Sequence, residues 1–247
     1  METLAALIAG GCIGAVLGFV GAGGAMLTVP ILIYLFDFSP VEATTAALAV
    51  VCLAALSGVI PKAMNKEILY KEALTIWALG LVTNVGASAL SHKLPDHAIT
   101  TGLALVLIGA ATSMLAKPVE RTHQRMSLPI LISLSLFIGL ITGFFGIGGG
   151  FIVIPILILG FGTPLATAAG TSLLIISINS ATAFIGHYTI WDEISWHVPI
   201  VMAISAVAVA GLGSRIHTRL NPITLKRSFA VLLYLIALFT IAQTWIF

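Results

Sequence analysis

The chain has 247 residues, of which 59% are hydrophobic and 8% charged, with a formal net charge of +2 and a mean hydropathy of +1.14. Soluble domains carry about a quarter charged residues, and a share this low cannot cover a water-facing surface. The small net charge and the lack of any block of like charge exclude a nucleic-acid arm, so the composition is that of a membrane protein.

The start, Met1-Glu2-Thr3, has no positive n-region, so the first apolar run is expected to be retained rather than cleaved. Apolar runs follow at about 4–36, 41–60, 73–91, 98–116, 128–160, 164–186, 196–214 and 228–247. A helical span needs roughly 20 apolar residues, which most of these supply. The charges fall between runs, with Lys62, Lys66, Glu67, Lys71 and Glu72 at one break and Lys93 and Asp96 at the next. Lys117, Glu120, Arg121 and Arg125 mark the midpoint, Asp192 and Glu193 a later break, and Arg215, Arg219, Lys226 and Arg227 the last. Cys12 and Cys52 both lie in apolar runs and read as inert thiols rather than as a disulfide.

Two runs, 4–36 and 128–160, are too long for one simple span, and each is broken by glycines and then a proline. The stretch from Gly18 reads GFVGAGGAMLTVPILI and that from Gly143 reads GFFGIGGGFIVIPILI, an offset of 143 − 18 = 125 with nine of sixteen positions identical. The same offset pairs Ala43 with Ala168, Gly86 with Gly211 and His92 with His217. A gapless spacing near half the chain length is a duplication, with repeats over 1–122 and 123–247 in one membrane domain. Lys and Arg mark cytoplasmic loops, here near 62–71, 117–125 and 215–227, and leave the 187–195 loop outside. The basic loop of one half therefore corresponds to the non-basic loop of the other, so the repeats are expected in opposite orientations. The expected fold is an all-α polytopic membrane protein of two inverted repeats, each a Gly-broken helical hairpin plus three transmembrane helices. Both termini are expected on the extracytoplasmic side of the cell membrane.

Unwound backbone at membrane depth must line protein or a wet cavity. Gly21, Gly23 and Gly24, with Gly146, Gly148, Gly149 and Gly150, would form two such breaks. A helix restarting after each break presents unpaired N–H groups and a positive dipole end, so two of them meeting near the midplane would bind an anion. Gly10, Gly14 and Gly18, at every fourth position, read instead as a helix-packing face. No Walker lysine pattern or complete G-x-G-x-x-G accompanies either cluster, which argues against a nucleotide loop.

Hydroxyls and amides inside the runs are further donors to an oxyanion, with interhelical bonding as their structural alternative. They are Thr44, Thr45, Asn84, Thr171, Ser172 and Asn179. His187 and His197 flank the outer loop and are expected as solvated interfacial histidines. Ionisable groups deep in the apolar runs are scarce, with Asp37 and Glu42 near an expected interface, which argues against a dedicated carboxylate proton relay while leaving the substrate free to carry a proton. No metal-ligand spacing and no nucleophile–base constellation is visible, so neither cofactor, metal nor enzyme activity is expected.

The doubled segments Gly18 to Pro30 and Gly143 to Pro155, the run from Ala168 to Ser172, and Gly86 and Gly211 resemble the TauE/SafE family of sulfite exporters over essentially the whole chain. That resemblance implies a multi-pass permease for sulfite, sulfonates or related sulfur-containing anions. The first half departs in having Ala46-Ala47 where the second has Thr171-Ser172, with Thr44-Thr45 just before. The expectation is a secondary transporter of a small anion in the lipid bilayer, working by alternating access, with Gly tips, Thr45, Thr171, Ser172 and Asn179 as its shell. An anion channel, a cation carrier using carbonyls at the same breaks and a membrane-embedded enzyme are the competing classes, and a homo-oligomer is left open.

Overall fold

In the computed structural model the described residues are 2–22, 24–91, 93–115, 128–146, 150, 153–154, 157, 163–216 and 222–245. Among them there is no strand. Helices run α1 Glu2–Val20, α2 Gly24–Phe36, α3 Pro40–Met64, α4 Tyr70–Ser91 and α5 Asp96–Leu115. They continue with α6 Leu128–Phe145, α7 Leu165–Gly186, a 3-10 turn Tyr188–Glu193, α8 His197–Ile216 and α9 Pro222–Trp245. Six segments, in α1, α3, α4, α6, α7 and α8, are long and apolar enough to cross a bilayer.

The first long run is broken where expected. Gly21 sits at φ +74, its N–H returns to the Leu17 carbonyl at 2.9 Å, and the chain turns back as α2. With 13 residues, α2 is about 20 Å long, well short of a full crossing. The second run breaks in the same way at Gly146, φ +65, whose N–H bonds to the Thr142 carbonyl at 3.0 Å. α3 begins at a capping box, with Ser39 Oγ accepting from the Glu42 N–H and the Glu42 carboxylate accepting from the Ser39 N–H, and Pro40 at the first helical position. That cap accounts for Glu42, whose carboxylate is engaged at a helix start.

α3 and α7 form the centre. Of their apolar windows 67% is buried, against 33–44% for the other four spans. They run antiparallel, because Thr45 lies opposite His187, Gly58 opposite Leu173 and Lys62 opposite Gly170. α5 and α9 are antiparallel as well: Thr112 meets Tyr234 at 2.7 Å, and the Trp245 indole donates to Thr101 at 3.1 Å. α1 lies parallel to α8, with Gly10 on Met202, Gly14 on Ala206 and Gly18 on Ala210. α6 lies parallel to α4, with Gly139 on Gly80 and Gly143 on Asn84 and Ala87. These small residues bring backbones into contact in a solvent that supplies no hydrophobic drive between helices. The packing face read from Gly10, Gly14 and Gly18 is present in this form.

Large apolar side chains such as Leu4, Ile8, Leu53, Ile60, Val82, Leu105, Phe137, Ile204 and Leu238 point outward. An outer apolar belt around a core containing buried threonines, serines and asparagines is the arrangement lipid favours. Cys12 and Cys52 are both free.

Candidate functional site

The two glycine elbows lie at opposite ends of the α3/α7 crossing. Gly21 leans on Ala169 near the start of α7, where an added β-carbon would stand 2.8 Å from the Ala169 α-carbon. Gly146 leans on Thr44 near the start of α3, with the corresponding distance to the Thr44 carbonyl oxygen 2.8 Å. Thr44 and Ala169 are themselves 169 − 44 = 125 positions apart, as are the two glycines. Along α3, Thr44 and Lys62 are separated by about 27 Å at ~1.5 Å per residue. From each elbow the chain heads inward. Gly24, where α2 begins, is buried against Leu17 and Ile13, partway down α1, while Gly150 packs on Ile176 and its carbonyl accepts from Ser172 at 3.3 Å. Gly24 thus stands beside α1, and Gly150 beside Ser172 and Ile176 in the first half of α7. Gly23, Gly148 and Gly149 lie outside the described residues.

The expected single shell therefore divides. Thr45 stands at the Gly146 end and Thr171 at the Gly21 end, so the two threonines do not line one site. Thr171 donates to the Thr167 carbonyl at 2.7 Å, while Thr45 Oγ1 lies 2.9 Å from the Val41 carbonyl and 2.8 Å from His187 Nδ1, its donor role following the ring's tautomer. Thr171 further accepts the Leu69 N–H at 2.9 Å, pinning the 65–69 connection to the start of α7. Thr44, buried at the start of α3, likewise bonds its own helix, at Pro40.

Near the centre of the crossing lies an amide pair. Asn84 on α4 donates from Nδ2 to the Asn179 carbonyl at 3.0 Å and to its side-chain oxygen at 3.4 Å. Both asparagines are buried. The Asn84 Oδ1 and the hydroxyls of Ser88, Ser135 and Ser180 are buried without a partner among the described residues. Unpaired buried polar atoms are costly; this belt on α4, α6 and α7 holds four of them, with Tyr34 Oη on α2 and Thr240 Oγ1 on α9 the others among the described residues.

Two basic residues depart from expectation. His187, expected as a solvated interfacial group, is fully buried and bonded to three helices, whereas His197 is exposed as expected. The reason is that the α7 helix ends at Gly186 with His187 capping it, tucked inward beneath the 3-10 turn rather than out in the loop. Lys62, expected in a charged break, lies in the last turn of α3, 1% exposed, with its ammonium 2.8 Å from the Glu67 carboxylate. The two residues are 187 − 62 = 125 positions apart, the offset that also separates the two glycine clusters.

The fold is that of a multi-pass helical membrane protein, built on broken hairpins around a buried, polar helix crossing. The family described as Sulfite exporter TauE/SafE matches residues 6–240, and the chain belongs to that family. It is 27% identical to a probable membrane transporter protein of Xylella fastidiosa over 96% of this chain and 94% of that one. It is also 27% identical to the probable membrane transporter protein MJ0441 of Methanocaldococcus jannaschii, over 94% and 93% respectively. The probable membrane transporter protein YunE of Bacillus subtilis is 26% identical, covering 84% of each chain. No solved structure matches.

Proposed function

We propose that the chain moves a small sulfur oxyanion, sulfite or an organosulfonate, across the cell membrane by alternating access between inverted repeats 1–122 and 123–247. The family's description supports the substrate class. The observation that carries the mechanism is the paired elbow contact, Gly21 on Ala169 and Gly146 on Thr44, each elbow of one half resting on the central helix of the other. Antiparallel self-pairing of α3 with α7 and of α5 with α9 is what a two-fold axis in the membrane plane requires of equivalent helices. Sliding one half against the other would open one end of the crossing while closing the second.

The guest would sit between the helix restarts at Gly24 and Gly150, with Ser172, Asn179 and Asn84 beside them. Restarting helices offer N–H donors and partial positive charge without a buried arginine. Thr45 and Thr171 drop out of that shell and hold its two ends. On this reading the 62–71 side faces the cytoplasm and both termini lie outside, a sense that the distribution of Lys and Arg supports.

The test is uptake of labelled sulfite by purified protein in liposomes, with sulfate, alkylsulfonates and chloride as competitors. Saturable flux that is suppressed by sulfonates and accelerated by unlabelled substrate on the far side is expected. Absence of flux for every anion in correctly inserted protein would overturn the reading, and flux without trans-acceleration would replace the carrier with a channel.

A further inference from the structure

Four buried polar atoms along one seam have no partner among the described residues: Asn84 Oδ1 and Ser88 Oγ on α4, Ser135 Oγ on α6 and Ser180 Oγ on α7. Each of these residues is at most 1% exposed. Buried hydroxyls elsewhere return to their own helix, Thr28 to the Gly24 carbonyl at 3.2 Å and Thr142 to the Ile138 carbonyl at 2.9 Å. The three serines do not, although that bond is open to a serine within a helix. The Asn84 amide cannot turn over to help, because its Nδ2 faces the Asn179 backbone carbonyl at 3.0 Å, which only accepts. Oδ1 therefore calls for a donor, while each serine hydroxyl can donate or accept.

These atoms form a row. Asn84 and Ser88 lie one turn apart on the same face of α4, where β-carbons stand about 5–6 Å apart, close to twice a hydrogen bond of about 2.8 Å. One water spans such a gap. Ser180 follows Asn179 in α7, at the level of Asn84, and Ser135 lies nearer the start of α4, where its carbonyl meets Gly80. Beyond Ser88 the row continues to Ser91, whose Oγ lies 2.9 Å from the Ser88 carbonyl and 3.3 Å from His187 Nε2. From Gly80 to Ser91 the rise is about 16 Å at ~1.5 Å per residue, roughly half of a bilayer's hydrocarbon core. At Asn84 and Ser88, α6 and α7 approach through Gly143 and Gly186, which put no side chain into these contacts.

The other half of the chain does not repeat the row. The positions 125 away from Asn84, Ser88, Ser135 and Ser180 are Val209, Gly213, Gly10 and Ala55, none of which has a polar side-chain atom. There Gly10 packs directly on the Met202 backbone. Helix packing of this kind thus manages without the four polar groups, and burying them unserved would only cost stability. A ligand that donates as well as accepts, and is small enough to lie between close-packed helices, accounts for them. Water is that ligand, and buried waters typically make about three hydrogen bonds to groups otherwise unsatisfied.

We propose that the α4/α6/α7 seam holds a file of water molecules, running from Ser135 past the Asn84–Asn179 pair and Ser88 to Ser91 and His187. The centre of the crossing is then hydrated from the Gly146 end and through one half only, while the α1/α3/α8 seam stays dry. The file does not depend on what the transporter carries.

Two measurements on the full-length protein test this. In the first, thermal unfolding in one detergent compares Ser88→Ala and Ser180→Ala with the wild type. A hydroxyl that holds water loses those bonds, so both melting temperatures are expected to fall by a few degrees, although alanine is the better helix former. A hydroxyl buried without water is a cost that alanine relieves, and a melting temperature at or above wild type for either variant would overturn the proposal. In the second, single cysteines replace Ser88, Ser180 or, as the dry counterpart, Ala55 in a protein carrying Cys12→Ala and Cys52→Ala. Silver ion, small enough to move where water moves, is added in chloride-free buffer to protein in nanodiscs, and unreacted thiols are counted with maleimide after unfolding. Ser88→Cys and Ser180→Cys are expected to react several-fold faster than Ala55→Cys. Equal rates, or no reaction at any of the three positions, would leave no file. Saturating methanesulfonate is expected to leave the rates unchanged, and protection of Ser88→Cys would give the seam to the anion in place of water.

Discussion

Gly146 rests on the Thr44 backbone so closely that a β-carbon there would stand 2.8 Å from the Thr44 carbonyl oxygen, and it does so at a left-handed φ of +65. Its equivalent Gly21 meets Ala169 at a φ of +74. Either elbow demands glycine twice over, for conformation and for space.

Gly146→Ala and Gly21→Ala are therefore expected to destabilise. The left-handed conformation alone costs an L-residue roughly 1–2 kcal/mol, and backbone displacement adds to it. The control is Gly86→Ala, exposed within α4 with nothing within 4 Å of the new carbon; it is expected to be neutral or to gain up to about 1 kcal/mol from helix propensity. Thermal unfolding of the purified proteins in one detergent ranks them, and elbow variants as stable as the wild type would show that the elbows can shift without cost.

Glu67→Gln is expected to lower stability more than an ordinary surface change, because it leaves the buried Lys62 ammonium without its carboxylate. Breaking a buried pair costs about 3–5 kcal/mol; Glu67 is 26% exposed, which brings the expectation to about 1–3. Lys62→Met combined with Glu67→Gln should lose less than the sum of the singles. Strict additivity in a double-mutant cycle would mean that the pair is not coupled.

Thr171→Val is expected to cost about 1–2 kcal/mol by stranding the Leu69 N–H, while Thr171→Ser keeps the acceptor and should restore stability. Since the hydroxyl proton is spent on Thr167, the serine variant should retain wild-type substrate affinity. A serine variant that was stable but lost affinity would return Thr171 to the binding shell.

The helices and the broken hairpins were legible because both depend on local chemistry that the bilayer leaves undisguised: apolar run length, charges between runs, glycine then proline. Offset arithmetic also located the two elbows. What composition did not reveal is depth. Lys62 ends α3 and His187 caps α7, each beside a polar loop, and whether such a residue turns outward or inward is decided by the helix that crosses it. Thr45 and Thr171 stand apart for a related reason: segments 125 positions apart in sequence begin at opposite ends of the α3/α7 crossing, so similarity in sequence separates these hydroxyls in space instead of gathering them.

The amide pair at the centre carries the sharpest separation of stability from function. Asn84 Oδ1 is buried without a partner among the described residues, while its Nδ2 bonds the Asn179 carbonyl. Asn84→Leu deletes that hydrogen bond, worth about 1 kcal/mol net, and at the same time removes an unsatisfied oxygen whose burial costs a similar amount. Stability should therefore change by less than about 1 kcal/mol. If Asn84 serves only as interhelical bonding, transport would follow stability and stay near wild type. As part of the central shell it also donates to the anion, and the half-saturation concentration for sulfite is expected to rise at least ten-fold at unchanged melting temperature. Thermal unfolding and concentration-dependent uptake on the same preparation read the two quantities apart, and an Asn84→Leu protein with unchanged half-saturation would place the anion elsewhere along the crossing.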